Sequence, residues 1–260
     1  MFSVPLWFYY ESTMWDPTQY ERFKDERAQP FRDLASLIER RSHMRVIDLG
    51  CGTGELTREL HEQLAAEETV GIDSSEAMLL KSASFATDTL RFERGDIEDL
   101  VTDRPFNLVF SNAALHWIPD HESLFSRLLT LLSPNGQLAV QMPANHDHPS
   151  HRIAAELAPS FGLESRAVSV ISPERYAELL HRLGFARQHV RVQVYGHVLS
   201  SAREIVEWTK GSTLTPYREG LSPAHYEQFL TEYTARVVEA LGDLRPYFYT
   251  FRRLVIWAKF

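Results

Sequence analysis

The stretch Val46-Ile47-Asp48-Leu49-Gly50-Cys51-Gly52-Thr53-Gly54 decides the fold. An apolar run of strand length enters a glycine turn, and Glu55 to Leu64 then reads as a helix. Alternate glycines let the backbone approach a ligand closely, since no Cβ stands in the way. The helix start behind them leaves N–H groups open, which favours an anionic or polar ligand end. Val70-Gly71-Ile72-Asp73 ends a second strand in an acid, where a carboxylate can take both hydroxyls of a ribose. Gly95-Asp96-Ile97 closes a third strand with another acid, suited to an exocyclic adenine amine. Three successive strand ends carry ligand-type residues, which marks a nucleoside-binding edge.

The details of the turn choose among nucleosides. Dinucleotide folds hold a pyrophosphate on G-x-G-x-x-G. Here the turn is G-x-G-x-G behind Asp48, whose carboxylate would repel a pyrophosphate and suit an ammonium group. The pattern resembles the class I S-adenosylmethionine-dependent methyltransferases, and the resemblance implies S-adenosyl-L-methionine as cofactor. Carried over, Asp48, Gly50, Gly52 and Gly54 take its amino acid end, Asp73 its ribose and Asp96 its adenine. Ser74, Met78, Ile97 and Asn112 are implied as further cofactor contacts. Trp15 and Tyr20 read either as an N-terminal cap over the cofactor or as core packing.

Composition agrees with a soluble enzyme. The chain has 260 residues, 44% hydrophobic and 24% charged, enough for one large α/β domain or two small ones. A net charge of -8 without a basic run argues against a nucleic-acid partner. The single cysteine, Cys51, excludes a disulfide framework and suits a reducing cytoplasm; no base is paired with it in sequence, so it reads as structural. Met1 to Tyr10 is apolar but too short for a membrane span and lacks a basic flank, so no membrane association is expected. Met14 begins a more ordinary start, and residues 1–13 read as an upstream extension or as a segment packed on the domain. Monomer and homodimer both remain open.

Strand and helix patterns alternate along the chain, which predicts an α/β fold with a parallel sheet and helices on both faces, and the resemblance implies its Rossmann-like class I methyltransferase form, seven-stranded and mostly parallel. Strands are expected at 44–49, 68–72, 90–94, 107–111, 137–142, 187–197 and 249–258. Helices are expected near 28–40, 55–65, 75–83, 122–132 and 173–183, and Ser133-Pro134-Asn135-Gly136 as a turn. The chain reads as one domain, with 1–30 as extension and cap. Between Leu199 and Phe248 lies a long, largely helical insertion where a tight hairpin would suffice. Together with the polar segment 143–163 it predicts a helical lid (200–247) before the last strand, over an acceptor at the carboxyl edge of the sheet.

A second set of motifs sharpens the resemblance. Met14-Trp15-Asp16-Pro17 with Tyr20 and Phe23, Ser111-Asn112-Ala113-Ala114-Leu115-His116-Trp117, Val140-Gln141-Met142-Pro143, Glu207-Trp208 and Phe251-Arg252-Arg253-Leu254 are similar to the trans-aconitate 2-methyltransferases. The resemblance runs from Met14 to the end and implies methylation of a carboxylate of a small polycarboxylic acid, giving a monomethyl ester. Thr215 stands where a basic residue is expected before the lid proline. A carboxylate acceptor is ionised at neutral pH and needs no general base. It needs cations instead, best as guanidinium forks. Arg22, Arg27, Arg152, Arg218, Arg252 and Arg253 are the candidates, with Arg253 in a family-like stretch. His116 stands near the expected methyl position, either to orient a carboxylate or to act as base on a hydroxyl. His146, Asp147, His148 and His151 match no standard zinc spacing and read as a polar loop, so no metal is expected. The alternatives are methylation of another small carboxylic acid or of an acyl thioester's carboxylate, and a non-catalytic sensor of the cofactor.

Overall fold

The computed structural model describes residues 24–164 and 169–260. The strands are β1 Arg45–Leu49, β2 Glu68–Asp73, β3 Leu90–Arg94, β4 Phe106–Asn112, β5 Leu132–Pro143, β6 Arg187–Leu199 and β7 Tyr247–Lys259. They form one seven-stranded sheet in the order β3-β2-β1-β4-β5-β7-β6, with β7 antiparallel to both of its neighbours. Strand order reverses between β1 and β4, which opens a crevice above their carboxyl ends.

Helices cover both faces because each turns an apolar stripe inward. On one face α1 (Lys24–Ala35) and α2 (Glu55–Leu64) bury Phe31, Leu34, Leu60 and Leu64 against Val46, Leu108, Phe110 and Val255. α3 (Glu76–Ser82) follows β2 and buries Met78 and Ser82. On the other face α4 (His121–Thr130) brings Leu124, Phe125 and Leu128 onto Ile47, Val109, Val140 and Ile256. Continuing along the chain, α5 is Pro149–Leu157 and α6 is Pro173–Arg182; α6 adds Tyr176, Leu179 and Leu180 to this same layer.

β6 and β7 are each 13 residues long, against five for β1. β5 accompanies β7 only as far as Pro143↔Arg253, whereas β6 stays with it to Leu199↔Tyr247. The hairpin therefore projects past the sheet as a two-stranded arm. Against it pack α5, α7 (Glu204–Lys210), α8 (Thr215–Gly220) and α9 (Pro223–Leu241). Ile153, Leu157, Trp208, Phe229, Tyr233, Tyr249 and Phe251 form a second apolar core there, separate from the two flanking the sheet. The segment expected as polar at 143–163 contains a helix with one buried face, which takes in part of the cluster read as a polar loop, and α8 was not expected.

Two boundaries differ from the sequence expectation for identifiable reasons. The helix expected at 28–40 spans Lys24–Ala35. The buried side-chain amide of Gln137 takes both the N–H and the C=O of Glu39 at 2.8 Å, which holds that backbone outside the helix. The turn at Ser133–Gly136 is a bulge inside β5, since register jumps from Phe106↔Leu132 to Leu108↔Gln137 and Asn135 has φ +59°.

Candidate active site

The glycine turn joins β1 to α2, and Gly50, Gly52 and Gly54 all have positive φ, at +78°, +56° and +78°. Their roles separate once a Cβ is placed on each. At Gly50 it would stand 2.1 Å from the Ala114 Cβ, and at Gly54 2.6 Å from Ser82. These two glycines are required by protein contacts. At Gly52 a Cβ would meet nothing within 4 Å among the described residues, so this is the glycine open to a ligand.

Asp73, at the end of β2, accepts the Gly52 N–H at 2.8 Å with one oxygen and the Ser75 N–H at 2.8 Å with the other. The Ser74 N–H also favours the ionised carboxylate, which keeps acceptor capacity for a ribose hydroxyl. Burial raises its pKa, against the lowering effect of these N–H groups. Ser75 caps α3 and places Met78 in the core, while Ser74 is exposed beside Asp73. Asp96 is exposed at the end of β3 and accepts the Glu98 N–H at 2.9 Å, which shapes the short 3-10 turn holding Ile97.

Asp48 is 4% exposed. Thr57, fully buried in α2, donates its hydroxyl to Asp48 Oδ2 at 2.6 Å. Asp48 Oδ1 is buried without a hydrogen-bond partner among the described residues. Burial pushes this carboxyl up to about 7, with the neighbouring charge of Asp73 adding to the shift. A buried acid with one unsatisfied oxygen beside an open glycine turn suits an ammonium group. The residues present therefore fit the amino acid end and ribose of S-adenosylmethionine. Burial, and then the charges of Asp48 and Asp73, push the Cys51 thiol up, which favours its protonated form.

A second polar group lies farther along the same edge, and it includes Asn112, expected from the sequence as a cofactor contact. Asn112 and Gln141 stand opposite each other in β4 and β5, and Gln141 Nε2 donates to Asn112 Oδ1 at 2.5 Å. Arg253 in β7 is 6% exposed and donates Nη1–H to Gln141 Oε1 at 3.1 Å. Its guanidinium lies 4.3 Å over the Phe251 ring. After Asn112 the chain turns through Ala113 at φ +58°, an uncommon conformation for a residue with a Cβ. A 3-10 turn, Leu115–Trp117, then presents His116. His116 Nδ1 is buried without a hydrogen-bond partner among the described residues. Burial, and then the charges of Arg253, His121 and His151, bring its pKa down to about 3. His151 of α5, held between the hydroxyls of Ser150 and Thr213, is also brought down to about 3, by burial first and by Arg253 among the nearby charges. Neutral His116 and His151 thus border the charge of Arg253, one from the sheet and one from the lid side.

The remaining sequence candidates separate. Arg152 pairs with Glu156 and Arg252 with Asp147, each on the surface. Arg218 lines a crevice of about 480 Å³ with Lys210 and Tyr226 on the lid. Trp15, Tyr20 and Arg22 lie outside the described residues, as does the Arg27 side chain. His148 caps α5, and no group of three or more potential metal ligands gathers among the described residues. Sequence reasoning gave no role to Thr57 or Gln141. For Gln141 a signal existed: it is the one amide inside the apolar run 138–142.

A methyltransferase-domain family model matches residues 20–190. The trans-aconitate 2-methyltransferase of Deinococcus radiodurans is 43% identical over 254 residues, covering 94% of this chain and 97% of that protein. Among solved structures, a putative methyltransferase of Bacillus halodurans has a TM-score of 0.60 at 16% identity, covering 88% of this chain and 97% of its own. A phosphoethanolamine N-methyltransferase of Haemonchus contortus, in complex with phosphomonomethylethanolamine and S-adenosylhomocysteine, has a TM-score of 0.59 at 17% identity over 96% of this chain and 59% of its own. The strand order, the glycine turn with its acids and the near full-length similarity agree: the chain belongs to the trans-aconitate 2-methyltransferase family of S-adenosylmethionine-dependent methyltransferases.

Proposed function

We propose that the protein transfers the methyl group of S-adenosylmethionine to a carboxylate of a small polycarboxylic acid, with trans-aconitate as the preferred acceptor. The observation that carries this reading is a buried arginine, Arg253, placed on the same sheet edge as the cofactor acids. When bound, the cofactor supplies a methyl group on a sulfonium, open to in-line displacement.

Asp48 holds the cofactor's ammonium, Asp73 its ribose and Asp96 its adenine, with Gly52 giving close approach. Arg253 grips a carboxylate of the acceptor that is not methylated, and His116 offers a neutral ring nitrogen to the reacting one. A ring titrating near 3 is a weak base for an alcohol, which favours an acceptor already ionised at neutral pH. The chain's contribution is then positioning and the exclusion of water from the attacking oxygen. The helices 149–157, 204–210, 215–220 and 223–241 form the lid that excludes it. No helix of the described residues is long and apolar enough to cross a membrane, in keeping with a small dissolved substrate.

A panel of mono-, di- and tricarboxylic acids, compared by kcat/KM with saturating cofactor, tests this reading. Acids with a second carboxylate should exceed their monocarboxylic analogues by about tenfold or more. Equal values across the panel would remove Arg253 from the acceptor site.

A further inference from the structure

The family-like stretch Val140-Gln141-Met142-Pro143 has no role in the reaction as described so far. Gln141 is 1% exposed, in β5 between β4 and β7, where its chain neighbours Val140 and Met142 are buried and apolar. A buried amide has to place both its oxygen and its nitrogen, and here the direction of each bond is forced. An arginine side chain only donates. The atom facing Arg253 Nη1 must therefore be the Gln141 oxygen, at 3.1 Å. The Gln141 nitrogen then faces Asn112, and the atom of Asn112 it meets at 2.5 Å must be an acceptor, Oδ1. The Asn112 NH2 group is left on the opposite side of its amide. Asn112 is half-buried at the end of β4, one residue before the positive-φ turn at Ala113 that leads to His116.

We propose that Gln141 is the positioning residue of the acceptor site: its amide fixes the Arg253 guanidinium and turns the Asn112 NH2 group toward the cleft as a donor to the acceptor's carboxylate. The relay Arg253–Gln141–Asn112 makes one polarised chain whose two ends both present N–H groups to an anion. It joins the end of the acceptor that is gripped to the end that reacts. This rests on the reading of Arg253 given above.

The test uses Gln141→Glu, Gln141→Met and Asn112→Asp in the full chain. The first readout is calorimetric affinity for trans-aconitate with the protein saturated in S-adenosylhomocysteine, where no turnover occurs. Gln141→Glu has no donor for Asn112 and neutralises Arg253, so trans-aconitate should bind about thirtyfold weaker or worse. Gln141→Met, close in size but without either hydrogen bond, should weaken it about tenfold. Asn112→Asp keeps its acceptor for Gln141 but turns a second carboxylate oxygen to the cleft. It should raise KM for monocarboxylic and tricarboxylic acids alike. Gln141→Glu should instead raise KM selectively for acids with a second carboxylate. Affinity for S-adenosylhomocysteine should stay within about threefold in both Gln141 variants, since the glycine turn and Asp73 are untouched.

Trans-aconitate affinity within twofold of wild type in both Gln141 variants would overturn the proposal. So would an equal loss of nucleoside and acid affinity, which is the signature of a merely structural amide. If Gln141→Glu does not fold, Gln141→Met and Asn112→Asp decide by the same criteria. Arg253→Ala measured in parallel separates the two levels. If it leaves trans-aconitate binding unchanged, the acceptor-site reading itself fails. If it weakens binding while the Gln141 variants do not, only the role of Gln141 fails.

Discussion

The Asp73 carboxylate accepts the backbone N–H of Gly52 at 2.8 Å, so the acid ending β2 and the open glycine of the β1 turn form one unit. Asp73→Ala removes the proposed acceptor for the ribose hydroxyls and releases the turn as well. Hydrogen bonds to charged groups contribute about 1.5–3 kcal/mol each. Affinity for S-adenosylmethionine should fall tenfold or more in a variant that still folds. Calorimetric titration giving unchanged affinity would refute the assignment.

Asp48 predicts a pH dependence. Burial raises its pKa from 3.8 to about 7, so the folded protein keeps a proton that the unfolded chain has lost. Without cofactor, this group's contribution to stability declines as pH rises from about 4 to 7. Binding of an ammonium group requires the ionised carboxylate, so S-adenosylmethionine should bind about eightfold tighter at pH 7.5 than at pH 6. Asp48→Asn should bind more weakly and lose that slope. An identical slope in Asp48→Asn would assign the titration to another group.

The candidate cofactor half of the site could be proposed from the sequence because it is local there. Strand, turn and helix start follow each other within nine residues, and each further acid ends its own strand. The division of labour among the glycines was not legible, because Ala114 and Ser82 reach Gly50 and Gly54 only through the fold. The proposed acceptor half depends on register. Arg253 and Gln141 are 112 residues apart and meet because β7 runs antiparallel to β5. Thr57 gave no signal in sequence, since a threonine early in a helix reads as an ordinary surface residue until Asp48 lies beneath it.

The lid core predicts a separation of stabilities. Phe229 is fully buried, with ring centroids 5.1 Å from Tyr217 and 5.3 Å from Phe161. Phe→Ala in such a core costs about 3–5 kcal/mol. Phe229→Ala should open residues 200–247 to limited proteolysis and raise KM for the acceptor, while cofactor affinity holds. Loss of cofactor binding in step with the lid would show that the two cores unfold as one.

Arg253→Ala removes the charge from a nearly closed site. By analogy with other truncated charge pairs the loss is of order 2–4 kcal/mol in transition-state binding. Then kcat/KM for a tricarboxylic acid should drop about thirtyfold or more. A monocarboxylic analogue should lose much less, and cofactor affinity should stay near that of the wild type. Equal losses for both acids would make Arg253 structural.

The most direct measurement is the fate of a labelled methyl group. The protein is incubated with methyl-labelled S-adenosylmethionine and trans-aconitate, and the product is treated with alkali. Transfer to a carboxylate predicts label in a monomethyl ester that alkali releases as methanol, with Asp73→Ala and Arg253→Ala both depressing its formation. No transfer to trans-aconitate or to any di- or tricarboxylic acid, or a methylated product that survives alkali, would contradict carboxyl methylation as the reaction of this site.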